Sequence, residues 1–249
     1  MSALALLLVA VGVGDCLRRP GRRTWPAALV SVGVVVAGAA LAGLWRPGDL
    51  ALVTVAVAAT VGWLVLGERA ERTNRARTAP LAVLAMAVAV LAALSGWASD
   101  VGGAIAGWAG WVALPGVEHV DPDRILMILG VMLVQLATGN TLVRLVLASV
   151  GAVKPASEPQ PSDRLKGGRL LGPMERLLIL GLGLAGQITV ATAVIAAKSI
   201  IRFPEISASR STPDAENTGG VGIDEVSEYF LVGSFASWML ALGGLALTR

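Results

Sequence analysis

The sequence is poor in the residues that soluble enzymes use for chemistry. Cysteine occurs once, at Cys16, so no intrachain disulfide can form and nothing follows about redox compartment. Val13-Gly14-Asp15 before it does not suit a lipoprotein cleavage site, and no basic stretch precedes the apolar run. Histidine occurs once, at His119, and without a cysteine pair a zinc site is not expected. Lysine occurs only at 154, 166 and 198; the other seventeen cations are arginine, a bias that suits the codon usage of a high-GC bacterium. Charged residues are 15% of the chain and apolar residues 55%, with mean hydropathy +0.73. A soluble domain carries about 25% charge and about 45–50% apolar residues, so the deficit excludes a sizeable soluble domain. The net charge of +3 does not point to nucleic acid, because the cations fall in short loops without interleaved aromatics.

What is there is apolar and comes in blocks of about 20 residues, the length that crosses about 30 Å of hydrocarbon. Seven such segments can be drawn: Ala3–Cys16, Trp25–Trp45, Leu50–Leu66, Pro80–Ala98, Ile125–Val150, Leu177–Ile201 and Val226–Leu247. None alternates as a barrel strand would. The expected fold class is therefore all-α, a polytopic membrane helix bundle of about seven spans. Trp25 and Trp45 bracket the second segment and Trp97 closes the fourth, as headgroup-level aromatics do. The first segment is the short one, about 21 Å of helix, and is expected to be tilted, to be met by a thinned bilayer, or to start as an interfacial stretch.

The loops vote on orientation. Arg18, Arg19, Arg22 and Arg23 follow the first segment; Arg69, Arg72, Arg75 and Arg77 follow the third; Lys154, Arg164, Lys166, Arg169 and Arg176 follow the fifth. With Arg249 that is fourteen cations on one side, against five on the other: Arg46, Arg124, Lys198, Arg202 and Arg210. The positive-inside rule makes the first side cytoplasmic, with the N-terminus outside and the C-terminus inside the cell membrane. Two loops exceed a turn. The outer one, Asp100–Arg124, carries Trp108 and Trp111 on one face and reads as a short interfacial helix, or alternatively as a re-entrant segment. The inner one, KPASEPQPSDRLK, reads as a flexible linker. The organisation expected is a five-span part over 1–152, a cytoplasmic linker over 153–169 and a C-terminal two-span hairpin over 170–249.

Most motifs have plain explanations. GLGLAG, Gly181 to Gly186, matches a dinucleotide fingerprint in letters only, since it lies within an apolar span; a small-residue packing face suits it better. EHVDPDR, Glu118 to Arg124, gathers His119 and three carboxylates. It reads as a helix start with Asp121 as cap, Pro122 in the first turn and Asp123 at the dipole end, rather than as a metal site. No metal and no cofactor is expected.

Two charged features resist so plain a reading. In the fifth segment Gln135, Thr138, Asn140, Thr141 and Arg144 interrupt the apolar run, with Asn140 and Arg144 four apart. Polar groups in hydrocarbon must find partners, and an intramembrane arginine is either tied to another helix or faces a ligand or ion. In the sixth, AAKSIIRF places Lys198 and Arg202 on one helical face at the outer surface, the disfavoured side for cations. Either Glu228 of the last segment pairs with them or both face an anion such as a lipid phosphate, with Tyr229 and Gln187 nearby.

GGRLLGPMERLLILGLGLAGQ, AAKSIIRFPEI and SEYFLVGSFASWMLAL together resemble the C-terminal module of bacterial membrane proteins that carry the domain of unknown function DUF3307. The matching positions are Gly172, Glu175, Arg176, Gln187, Lys198, Ser199, Arg202, Phe203, Glu228, Tyr229 and Gly233, within about 75 residues from Gly168 to Leu242. The N-terminal part lacks the histidine- and aspartate-bearing first helix of that domain. The resemblance implies that the charged positions form a set and implies no activity.

The function expected is recognition of a membrane lipid headgroup, a partner membrane protein or a second copy of the chain through Asn140, Arg144, Glu175, Arg176, Gln187, Lys198, Arg202, Glu228 and Tyr229. A second expectation is an enzyme on a lipid-linked phosphate, with Glu228 or Glu175 as acid or base and Arg144, Arg176, Lys198 and Arg202 on the phosphate. Glu175 and Glu228 fall at opposite surfaces in this threading, which disfavours a two-carboxylate mechanism. A third is a small-solute or ion transporter using the polar stripe of the fifth segment.

Overall fold

The computed structural model of the chain describes residues 1–18, 24–73, 78–112, 120–152, 168–197 and 223–249. Of the described residues 86% are helical and none lies in a strand, so the class is all-α. Among the described residues three helical runs are long and apolar enough to cross a membrane: Pro47–Ala70, Pro122–Ser149 and Ser227–Leu247. The chain forms two units, one of residues 1–138 with 247–249 and one of residues 139–246.

The first unit is built around α1 (Ser2–Leu17), in which every residue from Ser2 to Gly12 is buried. The short first apolar segment is therefore packed within the protein. A helix that is apolar on all sides is a core element, and α1 is wrapped by α2 (Trp25–Leu41), α3 (Pro47–Thr73) and α6 (Pro122–Leu133). Small residues permit the contact: a Cβ on Gly12 would meet Leu133 at 2.6 Å, and one on Gly130 would meet the Ala5 carbonyl at 2.9 Å. Toward the end of α1, the Trp63 indole N–H of α3 donates to Asp15 at 3.0 Å, and Arg18 lies 3.4 Å from the same carboxylate.

At the opposite end of α3, Asp49 is buried and accepts from the Ser99 N–H (2.7 Å), the Ser99 hydroxyl (2.9 Å) and the Arg46 N–H (3.1 Å). It ties α3 to the stretch that follows α4 (Thr78–Ala93) and the 3₁₀ turn Ser95–Trp97. The loop that follows the fourth segment contains a short helix, α5 (Gly103–Trp111), with Trp108 and Trp111 both exposed. Helix α6 starts after Asp121 as expected, but the Asp121 side chain makes no capping bond. Asp123 takes the polar role instead, accepting from the Val101 N–H at 2.6 Å. Glu118 and His119 lie outside the described residues, and among those described no group of acidic, histidine and cysteine side chains could hold a metal.

The fifth segment is one helical run interrupted by a π turn, Val134–Thr138, between α6 and α7 (Gly139–Ser149). The extra residue in that turn shifts the register of the polar stripe. Gln135 and Thr138 before the shift are buried in the first unit. Asn140 and Arg144 after it belong to the second.

In the second unit the sixth segment is not one span, which corrects the expectation of a continuous Leu177–Ile201 helix. Helix α8 (Gly168–Leu184) ends in a Schellman turn: the Gln187 N–H bonds the Leu182 carbonyl (2.8 Å), the Gly186 N–H bonds Gly183 (3.2 Å), and Gly186 sits at φ +74°. Helix α9 (Ile188–Ala197) then folds back. Ile179 of α8 and Ala191 of α9 share one packed cluster with Ala241 of α10 (Ile223–Leu247), rimmed by Leu182, Ile195 and Trp238. On a straight helix Ile179 and Ala191 would stand about 18 Å apart. The glycine stripe is thus half a packing face, since a Cβ on Gly183 would strike Leu245, and half a helix stop at Gly186.

Helices α8 and α10 run in the same direction. Their contacts step from Arg176–Ser237 to Ile179–Ala241 to Gly183–Leu245. Within the first unit, the Arg124 guanidinium Nε–H, at the start of α6, donates to the Thr248 carbonyl at 2.9 Å.

Candidate functional site

The second unit holds a buried charged cluster, built on the third turn of α8. Arg176 is 1% exposed and Glu175 9%. Burying a guanidinium is costly unless its donors are taken up. Arg176 Nη2 donates to Asn140 Oδ1 at 3.0 Å and Nη1 to Ser237 Oγ at 3.3 Å. Glu175 Oε1 accepts from the Trp238 indole N–H at 2.9 Å, and its carboxylate is close enough to act on the arginine's charge. Space for the guanidinium comes from two glycines. A Cβ on Gly139 would lie 2.6 Å from it, and one on Gly172 would lie 3.4 Å from Nη1 and 3.3 Å from Asn140 Oδ1. Asn140 and Arg176 are thus joined across α7 and α8, and Ser237 and Trp238 of α10 close the cluster.

Of the predicted residues, the structure brings Asn140, Glu175 and Arg176 together. Asn140 is engaged by Arg176 rather than by Arg144, which is exposed one turn further along α7. Gln187 is exposed in the turn before α9. Glu228 is exposed and Tyr229 half-buried near the start of α10. Lys198 and Arg202 lie outside the described residues, and so does their pairing with Glu228.

Sequence reasoning did not single out Ser237 or Trp238. The signal available was Trp238 itself, an indole in the interior of an apolar segment and away from the belt positions, where it needs an acceptor. Asp15 and Trp63 were missed in the same way, and the signal there was an acid inside the first apolar run. The arrangement can hold three helices in one register through charge-assisted hydrogen bonds. The Glu175 side chain is buried in it. A shallow depression of about 630 Å³ lies elsewhere, in the first unit, lined by Trp45, Arg46, Ser99 and Asp100. No protein-family model, curated protein or solved structure matches this chain.

Proposed function

We propose that this chain is a multi-pass protein of the bacterial inner membrane, with its N-terminus outside, that binds anionic lipid headgroups of the cytoplasmic leaflet through Arg144. The observation that carries the reading is the division of the polar stripe on α7: Asn140 is taken up by Arg176, while Arg144 one turn later is exposed. An exposed guanidinium on an apolar helix is costly in hydrocarbon unless it reaches water or an anion. Arg144 stands five residues before Ser149, about 7–8 Å along the helix axis, and an extended arginine side chain snorkels over that distance. The loop cations make that end cytoplasmic, and the cytoplasmic leaflet is the anionic one.

The three long runs cross the bilayer in this reading, and α2 and α4, at 17 and 16 residues, cross with tilt or local thinning. Helix α1 is shielded by its neighbours and need not match the hydrocarbon thickness by itself. The enzyme reading draws less support. The Glu175 carboxylate is occupied by Trp238, and Glu228 lies ten residues before Trp238 on α10, about 15 Å away along the axis.

Native mass spectrometry in phosphatidylglycerol and phosphatidylcholine micelles tests the proposal. The wild-type chain is expected to retain phosphatidylglycerol in preference, and Arg144→Ala to lose the preference with its helical circular dichroism unchanged. Equal retention by the variant contradicts the proposal, and retention of a second protein chain in place of lipid favours the partner reading.

A further inference from the structure

We infer that the depression between the α2–α3 turn and the stretch after the 3₁₀ turn binds a zwitterionic headgroup of the phosphoethanolamine class, with Arg46 on the phosphate and Asp100 on the ammonium. Every residue involved lies in the first unit, and the inference does not depend on the Arg144 reading.

The walls of the depression are fixed by bonds that leave two charges over. The Asp49 carboxylate accepts from the Arg46 N–H and from both the N–H and the hydroxyl of Ser99, so residues 46 and 99 are held to one group. The Gly102 N–H donates to the Ala42 carbonyl at 2.8 Å. Gly43 at φ +70° and Gly103 at φ +56° turn the chain at this point, and a Cβ on Gly103 would lie 2.6 Å from the Leu41 carbonyl. These contacts occupy both oxygens of Asp49. The Arg46 guanidinium and the Asp100 carboxylate are exposed, and neither has a hydrogen-bond or ion-pair partner among the described residues. A pair of opposite charges is thus set in place before any ligand arrives, which spares the ordering cost of binding.

The lining selects the ligand. At about 630 Å³ the depression falls within the roughly 300–1,000 Å³ of small-molecule sites, and it presents one cation, one anion and one large aromatic side chain, Trp45. A purely anionic group is repelled by Asp100 and a purely cationic one by Arg46, whereas a zwitterion meets an opposite charge at each end. The guanidinium fork takes phosphate oxygens in pairs. A primary ammonium brings three donors, which Asp100 and the lone pairs left on Ser99 Oγ can accept. A quaternary ammonium has no donor and calls for a cage of aromatics, and Trp45 is the one aromatic in the lining. The surroundings are those of a headgroup. Trp45 and Trp97 are both 67% exposed, and a Cβ on Gly48 would lie 2.7 Å from the Trp97 carbonyl. Helix α5 starts beside Gly43 and exposes Trp108 and Trp111. Exposed tryptophans mark the headgroup level of a bilayer.

Native mass spectrometry of the full chain in micelles holding equal phosphatidylethanolamine and phosphatidylcholine tests the inference. The wild-type chain is expected to retain phosphatidylethanolamine about tenfold in preference, the factor that one charge-assisted hydrogen bond supplies. Arg46→Ala should weaken that retention by about tenfold, Arg46→Lys by less, and Asp100→Ala should remove the discrimination between the two lipids. Arg144→Ala should leave the preference intact, which separates this site from the one proposed above. Unchanged helical circular dichroism checks the fold of each variant. Equal retention of the two lipids by the wild-type chain overturns the inference, and so does a preference that survives both Arg46→Ala and Asp100→Ala or is lost in Arg144→Ala alone. Soluble glycerophosphoethanolamine in lipid-free detergent divides the two sources of the same chemistry. Binding that depends on Arg46 and Asp100 assigns the site to a free zwitterion, and its failure beside retention of the lipid assigns the site to a phospholipid. Retention of neither overturns the inference.

Discussion

Arg176 and Asn140 are joined by a 3.0 Å hydrogen bond, thirty-six residues apart in sequence, from a guanidinium buried to 1% exposure. The bond explains why two polar residues persist in apolar helices: each removes the other's desolvation cost, and together with Ser237 they fix α7, α8 and α10 in register.

Removing either partner should therefore be costly. Asn140→Ala withdraws one acceptor from a buried arginine and is expected to lower stability by about 1–3 kcal/mol. Arg176→Ala also leaves a void and should cost about 3–5 kcal/mol. Arg144→Ala is a surface change in protein terms and should stay within about 0.5 kcal/mol. Thermal unfolding in detergent checks the order; an Arg144 effect as large as that of Arg176 would contradict the inward–outward division of α7.

Two glycines give a contrast that needs no charge change. A Cβ on Gly139 would lie 2.6 Å from the guanidinium, so Gly139→Ala should destabilise by about 1–3 kcal/mol through overpacking. Gly181, in the middle of α8, has nothing within 4 Å, and Gly181→Ala should gain up to about 1 kcal/mol from helix propensity. Melting temperatures moving in opposite directions are the expected outcome.

Gly186 carries the reversal between α8 and α9. At φ +74° an L side chain is strained, so Gly186→Ala should cost about 1–2 kcal/mol, and Gly186→Asn less, because asparagine tolerates the left-handed region. Comparing the two variants by detergent melting checks the backbone origin of the effect; equal losses would point to side-chain packing instead.

Asp49 is the corresponding tie in the first unit. Asp49→Ala forfeits bonds to Ser99 and Arg46 and is expected to cost about 2–4 kcal/mol. Hydrogen exchange should show the loss first at the Ser99 amide.

The helical class and the location of most apolar segments were legible in the sequence because hydropathy and span length report a physical requirement that no tertiary contact overrides. Loop arginines after α1, α3 and α7 set the expected direction. The break after Leu184 was not legible, because a 25-residue apolar stretch reads the same whether it is straight or folded at a glycine. Gly186 was visible, but a glycine within GLGLAG fits a packing stripe as well as a helix stop, and only the Leu182–Gln187 bond separates the two. For the site, Asn140, Glu175 and Arg176 were found because polar groups in apolar runs demand partners. Which partner each takes depends on helix register. The π turn at Val134–Thr138 shifts that register by one residue, and no composition pattern announces it. The burial of α1 was illegible for a related reason: an apolar helix looks alike to lipid and to other helices.

The central claim, that the sixth apolar segment folds back at Gly186, can be measured as a distance. Spin labels at Met174 of α8 and Ala197 of α9, both exposed, are to be read by electron–electron double resonance in the Cys16→Ala background. Helices packed side by side have axes about 8–10 Å apart, and with label linkers the account predicts a distribution centred below about 20 Å. A single helix through both positions would separate them by about 35 Å, and a distribution centred there would contradict the account.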